Sequence, residues 1–153
     1  MHGLNIVFLT IDIISINRDD SLYFVLEYMS GGSLYDLTKV CIEERNLGKP
    51  ERLKKEMIKS FVKQILSGLA YIHKHNYVHR DIKPENILVS GSGNTVKLCD
   101  FGLAREVSNG RGNITFYVST RWYRAPEVIL HCPTYGKPID LFATGLILAE
   151  LYR

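Results

Sequence analysis

Apolar residues recur along this chain in more than one rhythm, and each rhythm predicts a different element. Leu53, Met57, Phe61, Ile65, Leu69 and Ile72 return every three or four positions, with Lys, Gln and Ser between them. That spacing lines one face of a helix, so an amphipathic helix is expected from Glu51 to Lys74. Lys74 and His75 then sit at its C-terminal end, where cations are favourable. Leu4–Ile16 and Leu22–Met29 are instead dense in Ile, Val, Phe and Tyr, with polar Asn17-Arg18-Asp19-Asp20 between them. They read as two strands of a hairpin. Ile87–Val89 and Thr95–Cys99, joined by Ser90-Gly91-Ser92-Gly93-Asn94, predict a second, smaller hairpin. A last apolar run predicts a helix from near Asp140 to the end. Leu141–Leu151 within it is too short to span a bilayer.

The punctuation between these runs is equally informative. Ser30-Gly31-Gly32 ends the second strand. Ser33 is placed as a helix N-cap, with Asp36 three residues on as a short capping-box acid, and the helix is expected to reach about Val40. Asn46–Pro50 reads as a polar linker. From Asp100 to Glu127 no periodicity appears, and a loop of that length in a compact domain is usually functional.

Composition narrows the class. With 153 residues and 46% hydrophobic content, one globular core is expected. The net charge is only +3 and the basic residues are scattered, so nucleic acid is not an expected partner. Leu4–Ile16 has no basic flank, contains Asp12 and precedes no small-residue cleavage site, which argues against a signal peptide. No membrane partner is expected. Three cysteines, Cys41, Cys99 and Cys132, form no paired framework and fit a reducing compartment. His73, His75 and His79 imitate a metal-ligand spacing, but two of them fall at a helix end, and no metal cluster is expected from them. Asn113-Ile114-Thr115 is a formal glycosylation sequon without meaning in such a compartment.

The chemistry is concentrated in three short motifs. His79-Arg80-Asp81-Ile82-Lys83-Pro84-Glu85-Asn86 comes first, then Asp100-Phe101-Gly102, then Ala125-Pro126-Glu127. This order and spacing resembles the signature set of protein kinases. The resemblance implies phosphoryl transfer, in which positioning and charge stabilisation do most of the work. Asp81 would accept the proton of the substrate hydroxyl. Lys83, at a spacing similar to that of serine/threonine kinases, would neutralise the transferred phosphate. Thr120 would bridge Asp81 and Lys83. Asn86 and Asp100 would hold Mg2+ through hard oxygen ligands, and ATP would be the phosphoryl donor. Leu22–Met29 resembles the last N-lobe strand and hinge, with Leu26 at the gatekeeper position. The backbone at Glu27 and Met29 would hold adenine, Leu88 would form its floor, and Ser33 would lie at the ribose edge.

Val118–Glu127 reads VSTRWYRAPE, which is similar to the branch of the MAP kinases and cyclin-dependent kinases. There, an Arg matching Arg124 favours proline after the phosphoacceptor, so protein substrates with Ser/Thr-Pro sites are implied. Thr115-Phe116-Tyr117 resembles a T-x-Y activation pair, which implies an upstream activating kinase, with Arg80 and Arg124 receiving the phosphates. Together with PID and AELY, the segment most resembles the male-germ-cell-associated kinase group, which is linked to cilia and flagella. A cytoplasmic or nuclear location is the expectation from the sparse, odd cysteine count. Ser30–Leu34 (SGGSL) and Phe142, where the family usually has Trp, depart from this group.

The sequence contains no Gly-rich phosphate loop, no VAIK-type Lys and no matching αC Glu. The expectation is therefore an α+β, protein-kinase-like fold in truncated form, a partial kinase domain spanning 1–153. Residues 1–29 would be an N-lobe remnant of two strands with the hinge, and 30–153 an incomplete, mainly helical C-lobe. Two functional readings follow: a piece of a serine/threonine kinase, or a catalytically inactive kinase-like module that binds partners.

Overall fold

The computed structural model describes residues 11–12, 25–49, 53–107 and 121–152. Of the expected N-terminal hairpin, two short strands lie within these residues. They are β1 (Ile11–Asp12) and β2 (Val25–Leu26), antiparallel, with Ile11 opposite Leu26. The chain then runs through Glu27–Met29 and turns at Ser30–Gly31. The Gly31 N–H donates to the Val89 carbonyl at 3.0 Å. A Cβ there would meet the Ser90 and Val89 carbonyl oxygens at 2.5 and 2.6 Å. Glycine is therefore required by close backbone approach.

Helix α1 (Leu34–Asn46) starts with the expected capping box. Ser33 Oγ accepts the Asp36 N–H at 3.1 Å, and Asp36 Oδ2 accepts the Ser33 N–H at 2.9 Å. The helix runs well past Val40, because nothing in Cys41–Asn46 breaks it. The stop comes at Gly48, whose φ of 71° is left-handed. Helix α2 (Lys55–Lys74) begins four residues later than Glu51, since Lys54 is extended at φ −74° and ψ 152°. Its apolar stripe is as expected: Phe61, Ile65 and Leu69 are fully buried, with Ile58 and Ile72 beside them. Each such side chain contributes about 1.5–3 kcal/mol of burial.

Strand β3 (Tyr77–Val78) follows, then β4 (Ile87–Val89) paired with β5 (Val96–Leu98), which is the second expected hairpin. The run from Asp100 does not open as a plain loop. Strand β6 (Arg105–Glu106) pairs back to β3, with Val78 opposite Arg105. Two-residue strands have no readable period, which is why the pattern along the chain did not announce them. Single 3-10 turns occupy Pro84–Asn86 and Arg121–Tyr123. Helix α3 (Pro126–Ile129) is short, and α4 (Pro138–Leu151) starts on a proline, whose fixed φ suits the first helical turn.

One core joins α2 to Leu34, Ile82, Ile87, Leu98 and Ile147. A smaller one joins Val78, Ala125 and Ile139. The loop after β3 lies where these two cores meet in sequence, with Val78 in one and Ile82 in the other. The described residues thus form the α+β architecture expected. No helix among them is long and apolar enough to cross a membrane.

Candidate active site

The loop after β3 is held from below by a single buried carboxylate. Asp140, 1% exposed, accepts the His79 N–H on Oδ2 and the Arg80 N–H on Oδ1, both at 2.9 Å. His73 Nε2 reaches the same Oδ2 at 2.8 Å. Arg80 has φ 72°, a left-handed conformation that costs a non-glycine residue about 1–3 kcal/mol unless its surroundings impose it. The two Asp140 bonds impose it. Sequence reasoning took Asp140 only as a helix start. A lone acid opening an apolar helix was the available signal, since such a group is buried only when hydrogen-bonded.

His79 is fully buried and links three parts of the site. Its Nδ1 accepts the Asp81 N–H at 3.3 Å, and its Nε2–H donates to the Cys99 carbonyl at 3.0 Å. Burial lowers its pKa, and the nearby Asp140 carboxylate opposes that only in part. The neutral Nε2–H tautomer satisfies both bonds at once. The Phe101 ring packs 4.7 Å from the imidazole. His73 and His75 face other partners, Asp140 and the Tyr71 carbonyl.

Asp81, buried to 8% exposure, receives Lys83 Nζ and Asn86 Nδ2 on Oδ2, each at 2.8 Å. Asn86 Nδ2 also donates to the Asp81 carbonyl at 2.8 Å. The 3-10 turn at Pro84–Asn86 is what folds Asn86 back onto Asp81. With its nitrogen committed there, the amide leaves Oδ1 as its metal-competent atom. The Asn86 carbonyl accepts the Cys99 N–H at 3.0 Å, which brings Asp100 alongside. Asp100 is exposed and left-handed at φ 58°, and its Oδ1 accepts the Gly102 N–H at 3.3 Å. An amide oxygen and a carboxylate on adjoining segments suit a small hard cation such as magnesium.

The hinge residues flank this centre. Met29 is buried, and Leu88 and Ser33 face each other in an isolated β-bridge. The Ser33 hydroxyl is engaged in the capping box, donating to Asp36 Oδ2 at 2.6 Å. Glu27 pairs with Lys97. Leu26, on β2, is half exposed.

On the other side, Arg80 Nη2 donates to the Tyr135 hydroxyl at 2.6 Å, and its guanidinium carbon lies 5.5 Å from that ring's centre. Arg80, Asp81, Lys83, Tyr123, Arg124 and Tyr135 are among the residues lining a small cavity of about 30 Å³. Tyr123 donates to Glu150 Oε2 at 2.6 Å, and burial, reinforced by that carboxylate, pushes its phenol pKa well up. A larger cavity of about 150 Å³, lined in part by Thr38, Cys41, Ile58 and Glu150, contains none of the motif residues. Thr115, Tyr117 and Thr120 lie outside the described residues. Asp81, Lys83 and Asn86 are therefore brought into direct contact, with Asp100 placed beside them, while Ser33 meets Leu88 and Glu27 meets Lys97.

The protein kinase domain family matches residues 4–153. The chain belongs to the protein kinase family. It is 52% identical over 137 residues to the mouse serine/threonine-protein kinase ICK, covering 90% of this chain and 20% of that protein. The mouse serine/threonine-protein kinase MAK matches at the same identity and coverage. The rice cyclin-dependent kinase F-3 is 52% identical over 135 residues, 88% of this chain and 28% of its own length. By family this is a serine/threonine-type protein kinase domain, related to the branch that includes the cyclin-dependent kinases, and the chain spans about a fifth of the length of the first two relatives.

Proposed function

We propose that the protein carrying this segment transfers the γ-phosphate of ATP to Ser or Thr hydroxyls of protein substrates, at sites followed by proline. The observation that carries the reading is the Asp81 carboxylate, fixed by Lys83 and Asn86 at 2.8 Å on a loop that Asp140 holds in place. Asp81 takes the hydroxyl proton as the new oxygen–phosphorus bond forms and the bond to ADP breaks. Lys83 lies beside the developing charge. Asn86 and Asp100 would hold magnesium, which supplies charge neutralisation on the phosphates. The preference for proline rests on the resemblance around Arg124. On the same footing, phosphorylation of Thr115 and Tyr117 by an upstream kinase would order their loop, since each phosphate adds nearly two negative charges that Arg80 and Arg124 can meet. A cytoplasmic or nuclear site, with a ciliary link, belongs to this reading as well.

The test uses the full-length protein, labelled ATP and paired Ser-Pro and Ser-Ala peptides. Asp81→Asn should lower phosphate transfer by about 10²–10⁴-fold, with nucleotide affinity nearly unchanged. Asp100→Ala should weaken Mg-ATP binding itself. Equal loss of nucleotide affinity in both variants would overturn the assigned roles. Transfer to both peptides alike would remove the proline preference.

A further inference from the structure

Lys97 on β5 stands directly opposite Leu88 on β4. Their strand neighbours Ile87, Val89, Val96 and Leu98 all turn into the core. Side chains alternate across a strand, so Leu88 and Lys97 share the other face of the hairpin. The segment after the hinge runs along the β4 edge of that hairpin. Ser33 bridges Leu88, Gly31 donates to the Val89 carbonyl at 3.0 Å, and the Val89 N–H donates to the Gly32 carbonyl at 2.8 Å. These backbone links hold the downstream end of the hinge. At its upstream end the link is an ion pair between side chains: Lys97 Nζ meets Glu27 Oε2 at 2.5 Å.

We propose that Lys97 is a positioning residue for the nucleotide site, tying the Glu27 end of the hinge to the hairpin that carries Leu88. The inference rests on the reading of Glu27–Met29 and Leu88 as the walls of that site. A flat heterocycle bonded along one edge to hinge peptides must also lie against the floor. Hydrogen bonds weaken steeply with misalignment, so a hinge that drifts from the hairpin loses affinity. An exposed ion pair holds little. This one is half sheltered, with Lys97 14% and Glu27 44% exposed. It also acts between segments 70 residues apart in sequence, so it restrains tertiary geometry and not a local turn.

Two roles for Lys97 make opposite forecasts. As a tether it works only through Glu27, so removing either partner has the same effect. As a plain cation attracting the nucleotide, it would gain from losing Glu27. The experiment titrates a fluorescent ATP analogue into the full-length protein carrying Lys97→Met, Lys97→Arg, Glu27→Gln or the Met/Gln pair. KM for ATP and for peptide, kcat and the melting temperature are measured alongside. Lys97→Met and Glu27→Gln should each raise the nucleotide Kd about three- to fivefold, the scale of a half-sheltered ion pair. The pair should be no worse than the larger single effect, as expected for partners in one interaction. Lys97→Arg should stay within about twofold, and kcat and peptide KM should move less than that. Unchanged affinity in Lys97→Met, additive losses, or tighter binding in Glu27→Gln would overturn the tether. If Lys97→Met fails to fold, Glu27→Gln and Lys97→Arg decide the question by the same forecasts. A wild-type protein that bound no nucleotide would instead overturn the reading of the site, which separates the two failures.

Discussion

Asp140→Ala is the substitution from which the structure forecasts most. The carboxylate it removes serves two backbone N–H groups at 2.9 Å and one imidazole at 2.8 Å, all in a position 1% exposed. A buried donor left without its acceptor costs about 1–3 kcal/mol, so the His79 and Arg80 amides together forfeit about 2–6 kcal/mol. Whole domains are stable by only about 5–15 kcal/mol. Arg80 also loses what holds it at φ 72°, and relief of about 1–3 kcal/mol of backbone strain favours a relaxed loop. Asp81 is the next residue, so relaxation displaces the carboxylate proposed to take the hydroxyl proton. Asp140→Asn keeps one oxygen acceptor but turns an NH2 toward a second donor, so about half the loss is expected. Urea unfolding of the full-length protein gives the stability term. Steady-state transfer at saturating ATP gives kcat. Asp140→Ala should fail in both, with kcat falling further than KM rises. An unfolding free energy within about 1 kcal/mol of wild type, together with kcat within about threefold, would refute the argument.

Two further outcomes follow from single residues. His79 is held neutral, with a folded pKa below the unfolded value of about 6.5. Its contribution is thus complete above that pH and lost as pH falls, because the unfolded state gains a proton that the folded state resists. Unfolding free energy should decline below about pH 6.5, and His79→Phe should flatten that decline even though it lowers stability overall; identical slopes would contradict the buried neutral imidazole. Gly31→Ala would press a methyl group to within 2.5 Å of the Ser90 carbonyl oxygen, which cannot swing aside as a side-chain tip can. Forced backbone shifts of this kind cost about 1–3 kcal/mol, measurable by urea unfolding, and a loss under about 0.5 kcal/mol would show that the hinge approaches β4 less closely.

Local signals were legible because local physics produces them. The stripe from Leu53 to Ile72 buries as a helix face because 3.6 residues make a turn, and the Ser33–Asp36 cap closes within a single turn. The hairpin of Ile87–Val89 with Val96–Leu98 is announced by the glycines and polar residues between its strands. The contact of Lys83 and Asn86 with Asp81 was within reach of sequence reasoning for the same reason, since the partners lie two and five positions away along the chain. Helix ends were read less well: α1 passes Val40 because its stop is Gly48, and α2 waits for Lys54 to leave the extended region. The remaining contacts depend on where distant segments come to lie. Asp140 meets an amide 61 residues away, Lys97 meets Glu27 across 70, Tyr123 meets Glu150 across 27, and β6 returns to β3. No periodicity encodes such meetings, because each partner is locally an ordinary polar residue. The packing of α4 against α2, the fold-back of the chain after Asp100 and the run of Gly31–Ser33 along β4 bring these residues together.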